Sequence, residues 1–254
     1  MLSENLSTNS LAMNLTIDIG NTRAKICLFD GTACINTFDE GVSLTHTLEE
    51  IFKHHAIDAC AVSCVGRERK HLEEMLKRQT DCVLFVDGNT PGPIENAYSG
   101  RNTLGADRWA AAVGAATLKP NTDLLIIDAG TCITYDLVSS DGRYLGGNIS
   151  PGIEMRFQAL HEHTARLPKL TSEGETPLWG TDTASAIRTG VMKGVQHEIE
   201  GFISEFTDIY AQLFIFLTGG TPFRFPERLK SRIFAQPNLV SIGLNVLLRY
   251  HHKG

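Results

Sequence analysis

The chain has 254 residues, of which 42% are hydrophobic and 20% charged, so it suits one or two domains and excludes wholesale disorder. Its 23 basic and 29 acidic residues give a net charge of -6, which argues against a nucleic-acid binder with a broadly basic surface. No lysine or arginine precedes Arg23, and no apolar stretch is long enough to span a membrane. We therefore expect a cytoplasmic protein with no membrane or nucleic-acid partner.

The predicted elements of the first half begin after residues 1–12, a Ser-, Asn- and Thr-rich stretch that we expect to be a flexible leader. Periodicity predicts strands over 15–19, 24–29 and 33–38, a helix over 44–54, a strand over 59–63, a helix over 68–78 and a strand over 82–86. The pair Asp30-Gly31 suits a hairpin turn, and the Pro- and Gly-rich stretch 88–103 is predicted to be a loop. This alternation favours an α/β fold with mixed sheets.

The second half repeats the opening pattern. The run LTIDIGNT at 15–22 is echoed by LIIDAGT at 125–131, 110 positions later, and each copy is followed by a strand and an Asp-Gly turn. A helix over 109–118 precedes this copy, and helices over 153–160, 184–206 and 240–251, a loop over 168–180 and a strand over 213–218 follow it. A pattern repeated once per half predicts two similar lobes, residues 13–120 and 121–254.

The six cysteines form no Cys-x-x-Cys pair and lie mostly in apolar runs. This placement indicates buried thiols in a reducing compartment. The alternative is a zinc site built on Cys60 and Cys64 with a distant histidine.

The two Asp-x-Gly turns carry groups that bind phosphate. A sharp turn exposes backbone N–H groups and hydroxyls, and Lys25 adds a positive charge on the next strand. Asp18 and Asp128, at the strand ends, can organise Mg²⁺ or another cation. The alternative is a pair of ordinary hairpin turns capped by aspartate. The sequence has neither a Walker nor a Rossmann glycine motif, so any phosphate site must be built from these hairpin tips.

A further polar cluster, Gly105-Ala106-Asp107-Arg108, lies just before the apolar helix over 109–118, with Asp107 and Arg108 in its first turn. A carboxylate in the first turn of a helix is favoured by the helix dipole, so simple capping explains it. The same carboxylate can also serve as a general base, with the arginine binding an anionic group. After the strand over 213–218, the run Thr218-Gly219-Gly220 permits close approach of a flat group such as adenine, or is simply a tight turn.

Taken in order, these motifs resemble the type III pantothenate kinase family from about residue 14 to the C-terminus. The residues that carry the resemblance are 18–25, 105–108, 128–131, 146–152 and 218–220. The resemblance implies the acetate and sugar kinase, Hsc70 and actin superfamily, with two duplicated ribonuclease-H-like lobes whose mixed sheets are flanked by helices. It implies that ATP phosphorylates pantothenate, the first step of coenzyme A synthesis, with Mg²⁺ and K⁺ or NH₄⁺ in a homodimer.

The resemblance also implies roles for individual residues. The ATP-binding set would be Asp18, Ile19, Gly20, Asn21, Thr22, Arg23, Ala24, Lys25, Thr131, Gly219 and Gly220. The pantothenate-binding set would be Tyr98, Gly105, Ala106, Asp107, Arg108 and Thr183, with Asp107 as the general base. Asp128 would bind the monovalent cation. Whether Arg108 meets the pantothenate carboxylate or a phosphate stays open.

Two other readings remain. The scaffold also suits another small-molecule kinase or a phosphatase, but the Gly105 to Arg108 cluster favours pantothenate. A non-enzymatic, actin-like nucleotide-binding protein is the second alternative. The presence of Asp18, Lys25, Asp107 and Asp128 argues against it.

Overall fold

The computed structural model describes residues 13–20, 23–39, 43–64, 69–220 and 232–252, which form two β-sheets and six α-helices. The predicted leader, residues 1–12, and the predicted phosphate-binding residues Asn21 and Thr22 lie outside the described residues.

The first sheet has the strand order β3-β2-β1-β4-β5. Its strands are β1 (Met13–Ile19), β2 (Ala24–Asp30), β3 (Ala33–Asp39), β4 (Ala59–Cys64) and β5 (Cys82–Phe85). Helices α1 (Leu44–His54) and α2 (Arg69–Lys77) connect the later strands. Because apolar residues recur at helical spacing, Leu48 and Ile51 of α1 and Leu72 and Leu76 of α2 are buried in one core with strand residues such as Ile17.

The second sheet has the order β11-β10-β7-β8-β9-β6. Its strands are β6 (Glu95–Asn96), β7 (Leu124–Ala129), β8 (Cys132–Ser139), β9 (Arg143–Pro151), β10 (Phe214–Thr218) and β11 (Ile233–Ala235). The remaining helices are α3 (Ala106–Leu118), α4 (Ile153–Glu162), α5 (Thr183–Ile209) and α6 (Leu239–His252). Apolar residues of α4 and α5 pack on one face of this sheet.

The duplication predicted from the sequence is present in the strand pairing. In each sheet the first strand of the repeat pairs antiparallel with the second and parallel with the fourth, β1 in one sheet and β7 in the other. Both predicted Asp-Gly turns form, with Gly31 at φ 58° and Gly142 at φ 80°, a conformation that glycine adopts without steric cost. The fold is therefore the predicted pair of ribonuclease-H-like sheets. The division of the chain after residue 120 stays a prediction.

Helices α3 and α6 fill the space between the two sheets, and their close approach depends on small residues. A Cβ atom placed on Gly243 would lie 1.7 Å from the carbonyl oxygen of Ala110, and one on Gly114 would lie 2.6 Å from that of Leu239. On its other side α6 is tied to the first sheet, because Asn245 accepts a 2.8 Å hydrogen bond from Asn14 of β1. Helix α3 packs on β7 and β8 of the second sheet. The helix pair therefore joins the two halves.

Four features of the described residues differ from the sequence prediction. The predicted loop over 88–103 contains the two-residue strand β6 and a 3-10 turn, Arg101–Thr103. Strands β9 and β11 were not predicted. Two or three residues carry no measurable periodicity, and β9 contains two glycines, so alternation could not reveal these strands.

Candidate active site

The two predicted aspartates occupy equivalent positions at the ends of the central strands. Asp18 on β1 lies opposite Lys25 on β2 and Ser63 on β4. Asp128 on β7 lies opposite Thr134 on β8 and Thr218 on β10. Each carboxylate is therefore flanked by a hydroxyl-bearing residue on the neighbouring parallel strand. The duplication of the fold has produced two matching polar ends, one in each sheet.

Helix α3 adds a third carboxylate, that of Asp107, to the region of these two strand ends. Asp107 is the second residue of α3, and its negative charge acts on both Asp18 and Asp128, because it contributes to raising the pKa of each. Its Oδ1 atom accepts a 2.8 Å hydrogen bond from the backbone N–H of Arg108. A Cβ atom on Gly105 would lie 2.3 Å from the same Oδ1 atom. Glycine at 105 thus leaves room for the carboxylate to take this position.

The carboxyls at the strand ends have altered proton affinities. Burial is the largest cause, and with the negative charge of Asp107 it raises the pKa of Asp18 to about 6. Burial, Asp107 and Asp18 together raise the pKa of Asp128 to about 7. Lys25 opposes both increases, and the Ser63 hydroxyl opposes that of Asp18. Ionisation of Asp18 and Asp128 is therefore unfavourable unless a cation is bound near them.

The hydroxyl groups of Ser63 and Thr134 indicate that a cation would fit at the strand ends that carry Asp18 and Asp128. Their hydroxyl oxygens are buried, and among the described residues they make no hydrogen bond of standard geometry, although Ser63 lies within reach of the Asp18 carboxylate and Thr134 within reach of the Asp136 carboxylate. Hydroxyl and carboxylate oxygens are ligands for hard cations such as Mg²⁺. Within the described ranges no group of three His, Cys, Asp or Glu side chains could enclose a metal ion. A bound cation would therefore complete its coordination with water or with oxygens of a ligand.

Ligand-free protein should lose stability as the pH rises from about 4 to 7.5, since Asp18 and Asp128 bind protons more tightly in the folded than in the unfolded chain. Asp128→Asn removes one of these ionising groups. We expect it to raise the melting temperature by about 5 °C at pH 7.5 and to change it little at pH 4.5. Thermal melts without added K⁺ or Mg²⁺ measure this, with the exposed Asp81→Asn as control. A lower melting temperature of Asp128→Asn at pH 7.5 would contradict the prediction.

The first hairpin ends in an exposed glycine. The N–H of Gly20 donates to the carbonyl of Arg23 at 3.0 Å, which closes the turn. Lys25, predicted to meet phosphate, donates from Nζ to the carbonyl of Pro237 at 2.6 Å. Pro237 lies between β11 and α6, so this lysine links the first hairpin to the C-terminal segment. A lysine held by a single neutral carbonyl keeps two donors for other partners.

The second hairpin is packed between two glycines. The N–H of Gly152 donates to the carbonyl of Thr131 at 3.0 Å, and a Cβ atom on Gly152 would lie 2.3 Å from that oxygen. On the other side Gly219 has φ 92°, and a Cβ there would lie 2.5 Å from the carbonyl oxygen of Ala129. The fold itself therefore requires glycine at 152 and 219. At Gly220, in contrast, an added Cβ atom would meet no atom of the described residues within 4 Å.

Arg108 already has a protein partner. Its Nε atom donates to Asp136 Oδ1 at 3.0 Å and one terminal nitrogen donates to the same oxygen at 2.6 Å, while both side chains are almost fully buried. The Tyr144 hydroxyl donates to Asp136 at 2.7 Å, and the Tyr98 ring lies 5.8 Å from the guanidinium carbon. The structure thus brings Tyr98 and Arg108 together around an ion pair that anchors α3 to β8, and their role in binding pantothenate stays a prediction. The sequence analysis missed Asp136, although a lone acid in the apolar strand ITYDLV signals a buried pair.

Thr183 is separated from the other predicted pantothenate-binding residues. It is the exposed first residue of α5, where Asp182 caps the helix by accepting a hydrogen bond from the Ser185 N–H. Helix α5 packs on the face of the second sheet formed by Leu125 and Ile127. Helix α3, with Asp107, packs on the opposite face, against Ile126. Within one chain these two parts of the predicted site lie on different sides of the sheet.

The fold places the chain in a known structural class. A solved structure of a Baf family protein from Campylobacter jejuni matches with a TM-score of 0.59 at 22% identity, covering 94% of this chain and 100% of that one. MreB5 of Spiroplasma citri, solved bound to ADP, matches with a TM-score of 0.54 at 11% identity, covering 96% and 100%. At these identities the likeness concerns the fold alone. It defines an actin-like ATPase fold.

The family follows from the sequence relatives. The family model described as type III pantothenate kinase matches residues 14–205. Type III pantothenate kinases of Bacteroides fragilis and Phocaeicola vulgatus are 45% and 42% identical, covering 94% and 95% of this chain and 99% and 100% of their own. The Flavobacterium johnsoniae relative of the same name is 38% identical, over 94% of this chain and 98% of its own. This chain belongs to the type III pantothenate kinase family and is a kinase.

Proposed function

We propose that the protein transfers the γ-phosphoryl group of ATP to the primary hydroxyl of pantothenate, giving 4'-phosphopantothenate in the first step of coenzyme A biosynthesis. One observation carries the proposal beyond family membership. The negative charge of Asp107, at the start of α3, acts on both Asp18 and Asp128, so a candidate proton acceptor is in electrostatic reach of the two strand ends that suit phosphate and cations. The six cysteines form no disulfide among the described residues, which fits a reducing compartment, and we place the reaction in the cytoplasm.

The ATP phosphates would lie between the two hairpin tips. Gly20 and Gly130 support this placement, because neither has positive φ and a Cβ atom at either position would meet only ordinary contacts of 3.4 Å or more with the described residues. Neither the backbone angles nor the described neighbours require glycine at these two positions. Close approach of a phosphate would require it. Lys25 and Thr131 would add donors, and adenine would lie near Gly219 and Gly220.

Pantothenate would lie between Tyr98 and the start of α3. Gly105 and Ala106 contribute backbone at this position, and Arg108 keeps donors that its ion pair with Asp136 does not use. Thr183 lies on the other face of the sheet within one chain. This separation favours a homodimer in which the Thr183 of a second copy completes the pantothenate pocket.

The proposed reaction is an in-line transfer with Asp107 as the general base. Asp107 would accept the proton of the attacking hydroxyl, while the hairpins hold the triphosphate in line with it. Asp18 would organise Mg²⁺, which supplies charge neutralisation at the phosphate oxygens when bound with ATP. Asp128, which lies opposite Thr134 with its buried hydroxyl, would hold K⁺ or NH₄⁺.

A coupled assay of ADP release tests this function. Purified protein with ATP, Mg²⁺ and K⁺ should release ADP when pantothenate is added and should show no comparable release with acetate or hexoses. Mass spectrometry should identify a phosphorylated pantothenate. Faster release with a sugar or with acetate would contradict the assigned substrate. Equal rates with Na⁺ in place of K⁺ would contradict the monovalent-cation site at Asp128.

The variant Gly130→Ala tests whether glycine at this position is required for the approach of the phosphates or for folding. We expect the melting temperature to stay within about 2 °C of wild type, since the added methyl group meets no close atom. The KM for ATP should rise about tenfold, because the methyl group occupies space that the phosphates would use. Gly190→Ala, in an open position on α5, is the control and should leave KM unchanged. An unaltered KM in Gly130→Ala would remove the phosphates from this tip.

A further inference from the structure

A polar cluster lies behind the second hairpin and takes no part in the proposed chemistry. Arg156 of α4 donates from one terminal nitrogen to Glu198 of α5 at 2.6 Å and to the Ser150 hydroxyl at 2.8 Å. The Tyr135 hydroxyl donates to the other Glu198 oxygen at 2.8 Å. The side chains of Arg156 and Glu198 are 22% and 24% exposed, so they are largely shielded from water. The cluster links β8, β9, α4 and α5.

The arginine of this cluster also binds the backbone that supports Thr131. Its Nε atom donates to the carbonyl of Pro151 at 2.8 Å. Pro151 precedes Gly152, whose N–H donates to the carbonyl of Thr131 at 3.0 Å. A Cβ atom on Gly152 would lie 2.3 Å from that oxygen, so the two segments are already in direct contact. A small shift of Pro151 must therefore move Thr131.

The charges of the cluster persist at neutral pH. Burial acts to raise the pKa of Glu198, but hydrogen bonds from Arg156, Ser150 and Tyr135 outweigh it and lower this pKa. An ionised Glu198 holds the guanidinium group by a charge-assisted bond. The planar group can then bind Glu198, Ser150 and Pro151 at once, which an ammonium group does poorly.

We propose that Arg156, held by Glu198, is a positioning residue for the second hairpin, and that it sets the affinity of the site for the phosphates of ATP. This inference rests on the proposed function only in taking Thr131 as a phosphate contact. Neither Arg156 nor Glu198 contacts the first hairpin or the start of α3 in any described hydrogen bond. Loss of the pair should therefore weaken nucleotide binding and leave the pantothenate side unchanged.

The test compares Arg156→Ala, Arg156→Lys and a control, Arg143→Ala. Arg143 lies at the start of the same strand β9 and forms an exposed pair with Glu95. Calorimetric titration with Mg·ADP should show Arg156→Ala binding about 10- to 100-fold more weakly than wild type. Its KM for ATP should rise in parallel, with KM for pantothenate within twofold. Arg156→Lys keeps a charge beside Glu198 but loses the planar donor set, so it should recover only part of the affinity.

The outcomes separate positioning from general stabilisation. Arg143→Ala should bind Mg·ADP as wild type does. Unchanged ADP affinity in Arg156→Ala, an equal rise in both KM values, or full recovery by Arg156→Lys would overturn the inference. If Arg156→Ala does not fold, Arg156→Lys and Glu198→Gln carry the same comparison. Wild-type protein that binds Mg·ADP but does not phosphorylate pantothenate would contradict the proposed substrate and leave the ADP comparison valid.

Discussion

Asp107→Asn is expected to lower kcat about 10²- to 10⁴-fold while the protein stays folded. The amide has nearly the shape of the carboxylate and can still accept the hydrogen bond from the Arg108 N–H. It does not accept a proton from the attacking hydroxyl, so the loss should fall on the chemical step. Steady-state kinetics of pantothenate-dependent ADP release measure this effect.

The affinity for nucleotide provides the internal check on that variant. Asp107 raises the pKa of both Asp18 and Asp128, so its neutralisation removes repulsion near the proposed phosphate and cation sites. Mg·ADP should therefore bind Asp107→Asn at least as tightly as wild type. Asp208→Asn, on an exposed position of α5, is the matched control and should retain wild-type kcat. Near-wild-type kcat in folded Asp107→Asn would refute the assignment of the general base.

Gly243→Ala should produce the largest loss of stability. The added Cβ atom would lie 1.7 Å from the carbonyl oxygen of Ala110, which is backbone and has no rotamer by which to move away. Helices α3 and α6 must then separate, and we expect a loss of about 3 kcal/mol in the free energy of unfolding. For a chain of this size that corresponds to a fall of about 10 °C in melting temperature, measured by circular dichroism.

A second glycine variant serves as control for Gly243→Ala. Gly201 lies in α5, where an added Cβ atom would have no atom of the described part of the chain within 4 Å. Gly201→Ala should raise stability by about 0.5–1 kcal/mol, because alanine loses less backbone entropy in a helix. Since α3 carries Asp107 in its first turn, Gly243→Ala should also reduce kcat below the melting temperature. Equal melting temperatures for the two variants would show that the helix contact is not tight in solution.

The duplicated core of the fold was accessible from the sequence because its signals are local. Apolar alternation followed by Asp-x-Gly marks β1 and β7, and both copies end in strand-end carboxylates as predicted. Strands β6 and β11 were not accessible, since two or three residues form a strand only when a neighbouring strand supplies the hydrogen bonds. In the candidate site, too, local features could be predicted from the sequence and features that depend on packing could not. Asp107 was found by its place at a helix start, whereas its action on Asp18 and Asp128 depends on how α3 packs.

The sequence by itself determined the family, the repeated Asp-x-Gly hairpins and the residue types available for phosphate and cation binding, because these depend on the order of residues along the chain. The chain length is compatible with one domain or two, and the repeat favours two similar lobes. Only the tertiary structure decided that Arg108 pairs with Asp136, that Lys25 reaches Pro237 and that Thr183 lies across the sheet from Asp107. Each of these joins or separates residues far apart in sequence. Such contacts arise when helices and sheets bury their apolar faces together, and no local pattern encodes them.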